Sequence, residues 1–267
     1  MKWQRVAAPA GAGRMTKMPF TAEQFSEVFA RYNQGVWPLQ FFLSLLALAI
    51  LALVWRGRAG ASRAAAVGLS LLWAWAAVAY HFTYFTAINP AAWLFGALFL
   101  AGAGWFGWVG GVKGRLRFGP AGGGRGLVGG LLVAYALVIY PLLGLALGHR
   151  YPATPTFGLP CPTTIFTTGV LLFAAGRVPS SVFVAPLLWA AVGSFAAFRL
   201  GVLQDLGLLA AGLAAAAILA PTPVAPAPPS GPGGPAPGSA VMPPWPRTRR
   251  TVNQAGGSLP RHNHLRQ

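Results

Sequence analysis

Charge is scarce in this chain. Charged residues make up 9% of its 267 positions, and only three are acidic, Glu23, Glu27 and Asp205. An ordinary soluble domain carries roughly 25% charged residues, so a soluble globular body is excluded. Cysteine is nearly absent: Cys161 stands alone, which rules out an internal disulfide and leaves the redox compartment unread. The HExxH spacing of a helical zinc site does not occur. "MKWQR" is followed by "VAAPAGAG", not by the apolar core of a cleavable signal peptide. The long apolar runs hold almost no ionisable residue near their middles, where coupled transporters usually place one.

What the chain has in quantity is apolar sequence, 55% of its residues, gathered into runs of about the 20 residues that a helix needs to cross a bilayer. Seven such segments are read at about 36–55, 64–85, 90–112, 127–147, 162–178, 181–198 and 203–220. Asn89 and Pro90 open the third as cap and first helical residue, and Pro141 predicts a kink in the fourth. The fifth is barely long enough. The fold expected is therefore all-α, a polytopic membrane helix bundle of about seven transmembrane helices, with six, or five plus a re-entrant pair made by the fifth and sixth, as alternatives.

Ahead of the first run, "PFTAEQFSEVFARYNQ" carries a capping box, Thr21 with Gln24, and a hydrophobic staple, Phe20 with Phe25. Phe25, Val28, Phe29 and Tyr32 then share one helical face, and Glu23, Glu27 and Arg31 share another. This predicts an amphipathic interfacial helix. Residues 1–17 read as an upstream extension with Met18 a plausible start, 18–220 as the transmembrane domain, and 221–267 as a disordered Pro/Gly-rich basic tail.

The net charge of +17 would indicate nucleic acid in a soluble protein. Here the basic residues fall in short loops and the tail, so the expected partner is the lipid bilayer and no nucleic acid. Arg56, Arg58, Arg63, Lys113, Arg115, Arg117, Arg125 and Arg177 follow odd-numbered segments. The positive-inside rule then predicts an N-terminus outside, a C-terminus in the cytoplasm and a location in the cytoplasmic membrane.

Several motifs are read as structural. "GAGWFG" at 102–107 lies inside a membrane segment, not at a strand-to-helix turn, and is a packing surface. "GGGRG" at 122–126 lacks the Lys and hydroxyl of a phosphate loop. Gly126 with Gly130, and Gly144 with Gly148, have the spacing of close helix contacts. Thr163, Thr164, Thr167 and Thr168 form i, i+4 pairs suited to interhelical hydrogen bonds or a polar path. His262 and His264 in the tail make a poor metal site.

The remaining polar residues converge on the outer ends of the helices. His81, Tyr84 and Asn89 follow the second segment, and His149, Arg150 and Tyr151 follow the fourth. Cys161 and Thr164 open the fifth, and Asp205 opens the seventh. Together they form the candidate ligand-binding pocket. Four prolines stiffen "RYPATPTFGLPCP" and lower the cost of ordering its side chains. Cys161, beside Pro162 at a helix start, is a candidate reactive thiol. His81, His149 and Asp205 are the only candidate metal ligands in this set, and no cofactor is expected.

"MPFTAEQFSEVFARYNQ", "HFTYFTAINPAAWLFG" and "HRYPATPTFGLPCPTTIFTTG" resemble a family of uncharacterised bacterial multipass membrane proteins, a domain of unknown function with some members automatically labelled permease. The likeness spans about residues 18–221. It implies a small integral membrane bundle and brings no chemistry to any position. The reading preferred from the sequence is a small-molecule or ion permease with a polar outer-face pocket. A non-catalytic membrane sensor or assembly protein is the alternative, and an intramembrane metal-dependent hydrolase is a third.

Overall fold

The computed structural model describes residues 19–176 and 178–219. The upstream segment 1–17, the start at Met18, Arg177 and the Pro/Gly-rich tail from 221 with its two histidines lie outside the described residues.

The described chain is helical, and no strand forms among the described residues. Helix α1 spans Ala22–Gly35, and its expected start is present. Thr21 Oγ1 accepts the Gln24 N–H at 3.2 Å, and Gln24 Oε1 accepts the Thr21 N–H at 2.9 Å. The Phe20 and Phe25 rings stack 5.7 Å apart, completing the staple. The Glu23 backbone N–H and the Thr21 side chain hold the exposed Glu23 carboxyl below the usual carboxylate range, as expected at a helix N-terminus.

Helices form at all seven predicted positions. Helix α2 is Leu39–Arg56, stopped by Gly57 in the left-handed region. Helix α3 is Ala59–Trp75 and runs on through a π turn at Ala76–Phe82. Helix α4 is Ala92–Phe106, with a π turn at Gly107–Val112. Helix α5, Gly123–Ala134, passes through a π turn at Tyr135–Ile139 into α6, Tyr140–Ala146. Helix α7 is Pro160–Leu171, α8 is Val184–Leu200 and α9 is Gly207–Leu219.

Five stretches are long and apolar enough to cross a membrane: Leu39–Arg56, Ala59–Ala87, Ala92–Val112, Gly123–Ala146 and Ser180–Leu200. Phe41, Phe42, Leu45, Leu48 and Trp55 of α2 are all exposed, a patch no water-facing surface would carry. The chain is thus a helical membrane bundle.

The two other predicted spans are shorter. Leu203–Leu219 is apolar but brief. Helix α7 has 12 residues, ~18 Å at 1.5 Å per residue, against a hydrocarbon core of about 30 Å. All of its residues except Cys161 are buried, because α3, α5, α8 and α9 surround it. Backbone outside a helix is tolerated at membrane depth when protein covers it, and that condition holds at both ends of α7.

Glycine lets α7 sit so deep. A Cβ on Gly169 would lie 2.9 Å from the Gly129 carbonyl oxygen, and one on Gly129 would lie 3.0 Å from that of Gly169. The backbones of α5 and α7 therefore meet at these two residues. The glycine pairs expected from spacing differ: Gly130 faces open space, and Gly148 lies in a turn with positive φ. Within "GAGWFG", Gly102 does form a close contact, with Trp73 and Ala185. The threonine row supplies the expected interhelical bond, Trp73 Nε1 donating to Thr167 Oγ1 at 3.0 Å.

The two prolines inside predicted spans have local solutions. Pro141 offers no N–H to the carbonyl four residues back, and the preceding turn widens to i→i+5, with the Tyr140 N–H bonded to the Tyr135 carbonyl. Pro186 falls in the first turn of α8, where its missing N–H has no helical partner to lose.

Candidate functional site

Helix α1 lies across one end of the bundle. Val28, Phe29 and Tyr32 are buried beneath it with Tyr80, Phe85, Ala92 and Leu159. Burial pushes the Tyr32 hydroxyl up from its ordinary pKa, while that oxygen accepts the Trp75 Nε1–H at 2.8 Å. Asn33 shares this face, four residues after Phe29, and is 0% exposed. Its Nδ2 donates to the carbonyls of Pro152 at 2.6 Å and Thr154 at 2.7 Å, and its Oδ1 accepts the Thr156 hydroxyl at 2.7 Å. One amide therefore ties α1 to the Pro-rich loop. The sequence signal was its place on the apolar face, where an asparagine must find partners.

Beneath α1 the structure holds a cavity of about 320 Å³. Its walls are aromatic: Phe20, Phe25 and Phe29 from the α1 region, Tyr80 and Phe85 from the end of α3, Phe95 from α4 and Trp189 from α8. Asn89, Tyr140, Cys161 and Asp205 supply its polar groups.

Asp205 sits in a 3₁₀ turn, Leu203–Leu206, that leads into α9, and it is 4% exposed. Cys161 lines the same cavity, and Tyr140 donates its hydroxyl to Oδ1. The π turn ahead of Pro141 explains this aim. Residues five apart on an α-helix diverge by about 140°, whereas an i→i+5 turn brings them toward one side. Tyr135 and Tyr140 accordingly both reach the 3₁₀ turn: Tyr135 donates to the Gln204 carbonyl at 2.7 Å while Tyr140 reaches Asp205.

Of the nine predicted pocket residues, the cavity gathers three: Asn89, Cys161 and Asp205. Asn89 Oδ1 accepts the Ala91 N–H at 3.1 Å in the turn ahead of α4; the cap itself is Ala91, so α4 begins at Ala92, two residues later than expected. His81 stands directly behind the wall. It is fully buried, with ring centroids 4.9 Å from Phe99 and 5.1 Å from Trp189, and neither ring nitrogen has a hydrogen-bond partner. Tyr84 packs on Tyr32 at 5.7 Å. Thr164 is buried in α7, its hydroxyl unpartnered.

The other three lie elsewhere on the same end. Tyr151 rests against Trp37, ring centroids 6.2 Å apart, with its hydroxyl 3.4 Å from the Asn33 carbonyl. Arg150 is exposed. His149 Nδ1 lies 3.1 Å from Gln204 Nε2, in a separate depression shared with Glu23 and Glu27.

Among the described residues, no three His, Cys, Asp or Glu side chains come together to hold a metal ion. The candidate ligands His81, His149 and Asp205 do not form such a group. An aromatic box encloses the first, an amide engages the second, and a tyrosine holds the third. Cys161 is a free thiol in the first turn of α7, in the lining of the cavity.

Sequence reasoning passed over Tyr140 and Trp189. Tyr140 precedes a mid-helix proline, the one local signal that its direction would depart from the helical period. Trp189 carried no signal distinguishing it from the chain's nine other tryptophans.

A bundle with lipid-facing helices and a cavity at one end belongs to the class of integral membrane proteins. The chain belongs to the Family of unknown function (DUF6064), whose model matches residues 22–226. This agrees with the resemblance drawn from the sequence, which began four residues earlier. No curated protein and no solved structure matches the chain.

Proposed function

We propose that this protein is a seven-crossing protein of the bacterial inner membrane that binds a small molecule at its outer face, as a receptor or sensor. The cavity is the observation that carries the reading: an aromatic chamber with a buried carboxylate at its floor, roofed by an interfacial helix. Few convergent polar groups in an apolar chamber are the usual make-up of a ligand site.

Orientation is supported by charge. Arg56, Arg58, Arg63, Lys113, Arg115, Arg117 and Arg125 lie at the end away from α1, against Arg31, Arg150 and Arg199 near it. In a Cys161→Ser background, a membrane-impermeant maleimide should label a cysteine placed at Glu27 and spare one placed at Arg117 in intact cells. The reverse pattern would invert the topology.

The ligand role is tested by thermal-stabilisation screening of the detergent-purified full chain. A compound that stabilises the wild type and Arg117→Ala, but not Ala91→Trp at the cavity rim, supports the reading. Stabilisation that survives Ala91→Trp places binding elsewhere and ends it.

Transport is the second reading. Thr163, Thr164 and His81 carry unpartnered polar atoms deeper in the bundle, as a polar path would. Against it, Phe166, Phe118 and Phe173 are buried between these groups and the far end. Flux of a cavity ligand into proteoliposomes, abolished by Ala91→Trp, would favour the permease.

A further inference from the structure

Granting that the cavity is the binding site, we infer that its ligand is an organic cation, an amine or quaternary ammonium group on a compact apolar body. Three features of the chamber select that chemistry. The first is the wall. Tyr80, Phe85, Phe95 and Trp189 present aromatic rings to one space, and ring faces attract cations, most strongly where water is displaced.

The second is the floor. Asp205 is the only acidic residue lining the chamber, and none of the described lining residues is Lys or Arg. The group that hydrogen-bonds its carboxylate, Tyr140, is an uncharged side chain. A carboxylate removed from water is stabilised most by an opposite charge, and the chamber leaves that charge to the occupant. An anion would meet repulsion here, and a sugar-like polyol would find too few hydrogen-bonding groups.

The third is the mouth. The exposed members of the lining are Pro19, Ala91 and Phe195. Phe195 lies 55% exposed on α8, between the lipid-facing Leu188 and Phe198, so the chamber opens beside the membrane interface. Amphiphilic amines concentrate at that level, with the charged group near the headgroups and the apolar body below. A volume of about 320 Å³ sits at the low end of the ~300–1,000 Å³ found for small-molecule sites. It suits one ring or short chain with one charged head.

The test uses the full-length protein in phosphatidylglycerol nanodiscs, titrated calorimetrically against empty discs with three probes of matched shape. These are benzyltrimethylammonium, its neutral carbon isostere neopentylbenzene, and the anion phenylacetate. The cation should bind at least about tenfold tighter than the neutral isostere, with phenylacetate weakest. Asp205→Asn, which keeps an acceptor for Tyr140, should remove that preference and leave neopentylbenzene unchanged. Ala91→Trp should weaken both the cation and the neutral probe.

Equal binding of cation and isostere, unaffected by Asp205→Asn but blocked by Ala91→Trp, would overturn the cation assignment while keeping the chamber as a site. Probe binding insensitive to Ala91→Trp would overturn both. Phosphatidylcholine discs separate two sources of the same chemistry. Competition with the probe would identify a lipid headgroup as the natural cation, and undiminished probe binding would identify a free amine.

Discussion

At the end of the bundle covered by α1, side chains hold the chain together. Asn33 grips three groups of the Pro-rich loop, Tyr135 and Tyr140 reach the turn before α9, and a cavity remains between them. At the far end, backbone-to-backbone bonds share this work with a few side chains. The Gly119 N–H donates to the Phe173 carbonyl at 3.1 Å, the Ala175 N–H to the Arg117 carbonyl at 2.6 Å, and the Phe118 N–H to the Ser62 hydroxyl at 3.0 Å. Leu116 and Phe118 are buried there. Side-chain clamps fix the ends of elements and leave between them the cavity on which the proposed binding site rests.

Variants can break this contrast one end at a time. The largest effect is expected from Asn33→Ala, which removes three buried hydrogen bonds worth about 1 kcal/mol each. It should cost about 3 kcal/mol of stability in detergent unfolding and raise amide exchange in residues 22–35 and 152–156, with residues 115–119 unchanged. Uniform loosening of both ends would show that the two are not separate.

Gly169→Ala comes next, at about 2 kcal/mol, because its new methyl meets the α5 backbone, which cannot rotate away. Both ends should loosen together, since α7 joins them. An unfolding transition unchanged from wild type would mean that α5 and α7 are less closely apposed than their glycines indicate. The smallest effect is Ser62→Ala, which strands the Phe118 N–H at a cost of about 1 kcal/mol. Faster exchange should be confined to residues 115–119 and 173–175, and ligand binding should be untouched.

Much of the fold was legible in the sequence. The seven apolar runs, the capping box with its staple, and the amphipathic face of α1 are local patterns, set by hydropathy and by residues three or four apart. What escaped was set by residues distant in the chain. The glycines expected to pack were off register, because spacing along one helix does not reveal which backbone it will meet. Gly129 became a contact only because Gly169 faces it. His81 and Asp205 looked alike as polar groups at helix ends, yet one is sealed among aromatic rings and the other faces the cavity. Tyr140 was hidden by a regular helical reading, since the wide turn that redirects it arises only once Pro141 has broken that period.

Helix α7 carries a consequence for how the protein is made. A segment of 12 residues with four threonines partitions poorly into lipid on its own. Neighbours therefore have to claim it after it leaves the ribosome. Helix α5 is already synthesised and waiting with Gly129, whereas α8 and α9 arrive only later. Until they do, α7 is held by α3 and α5 alone, and insertion of the middle of this chain depends on the prompt arrival of its C-terminal third.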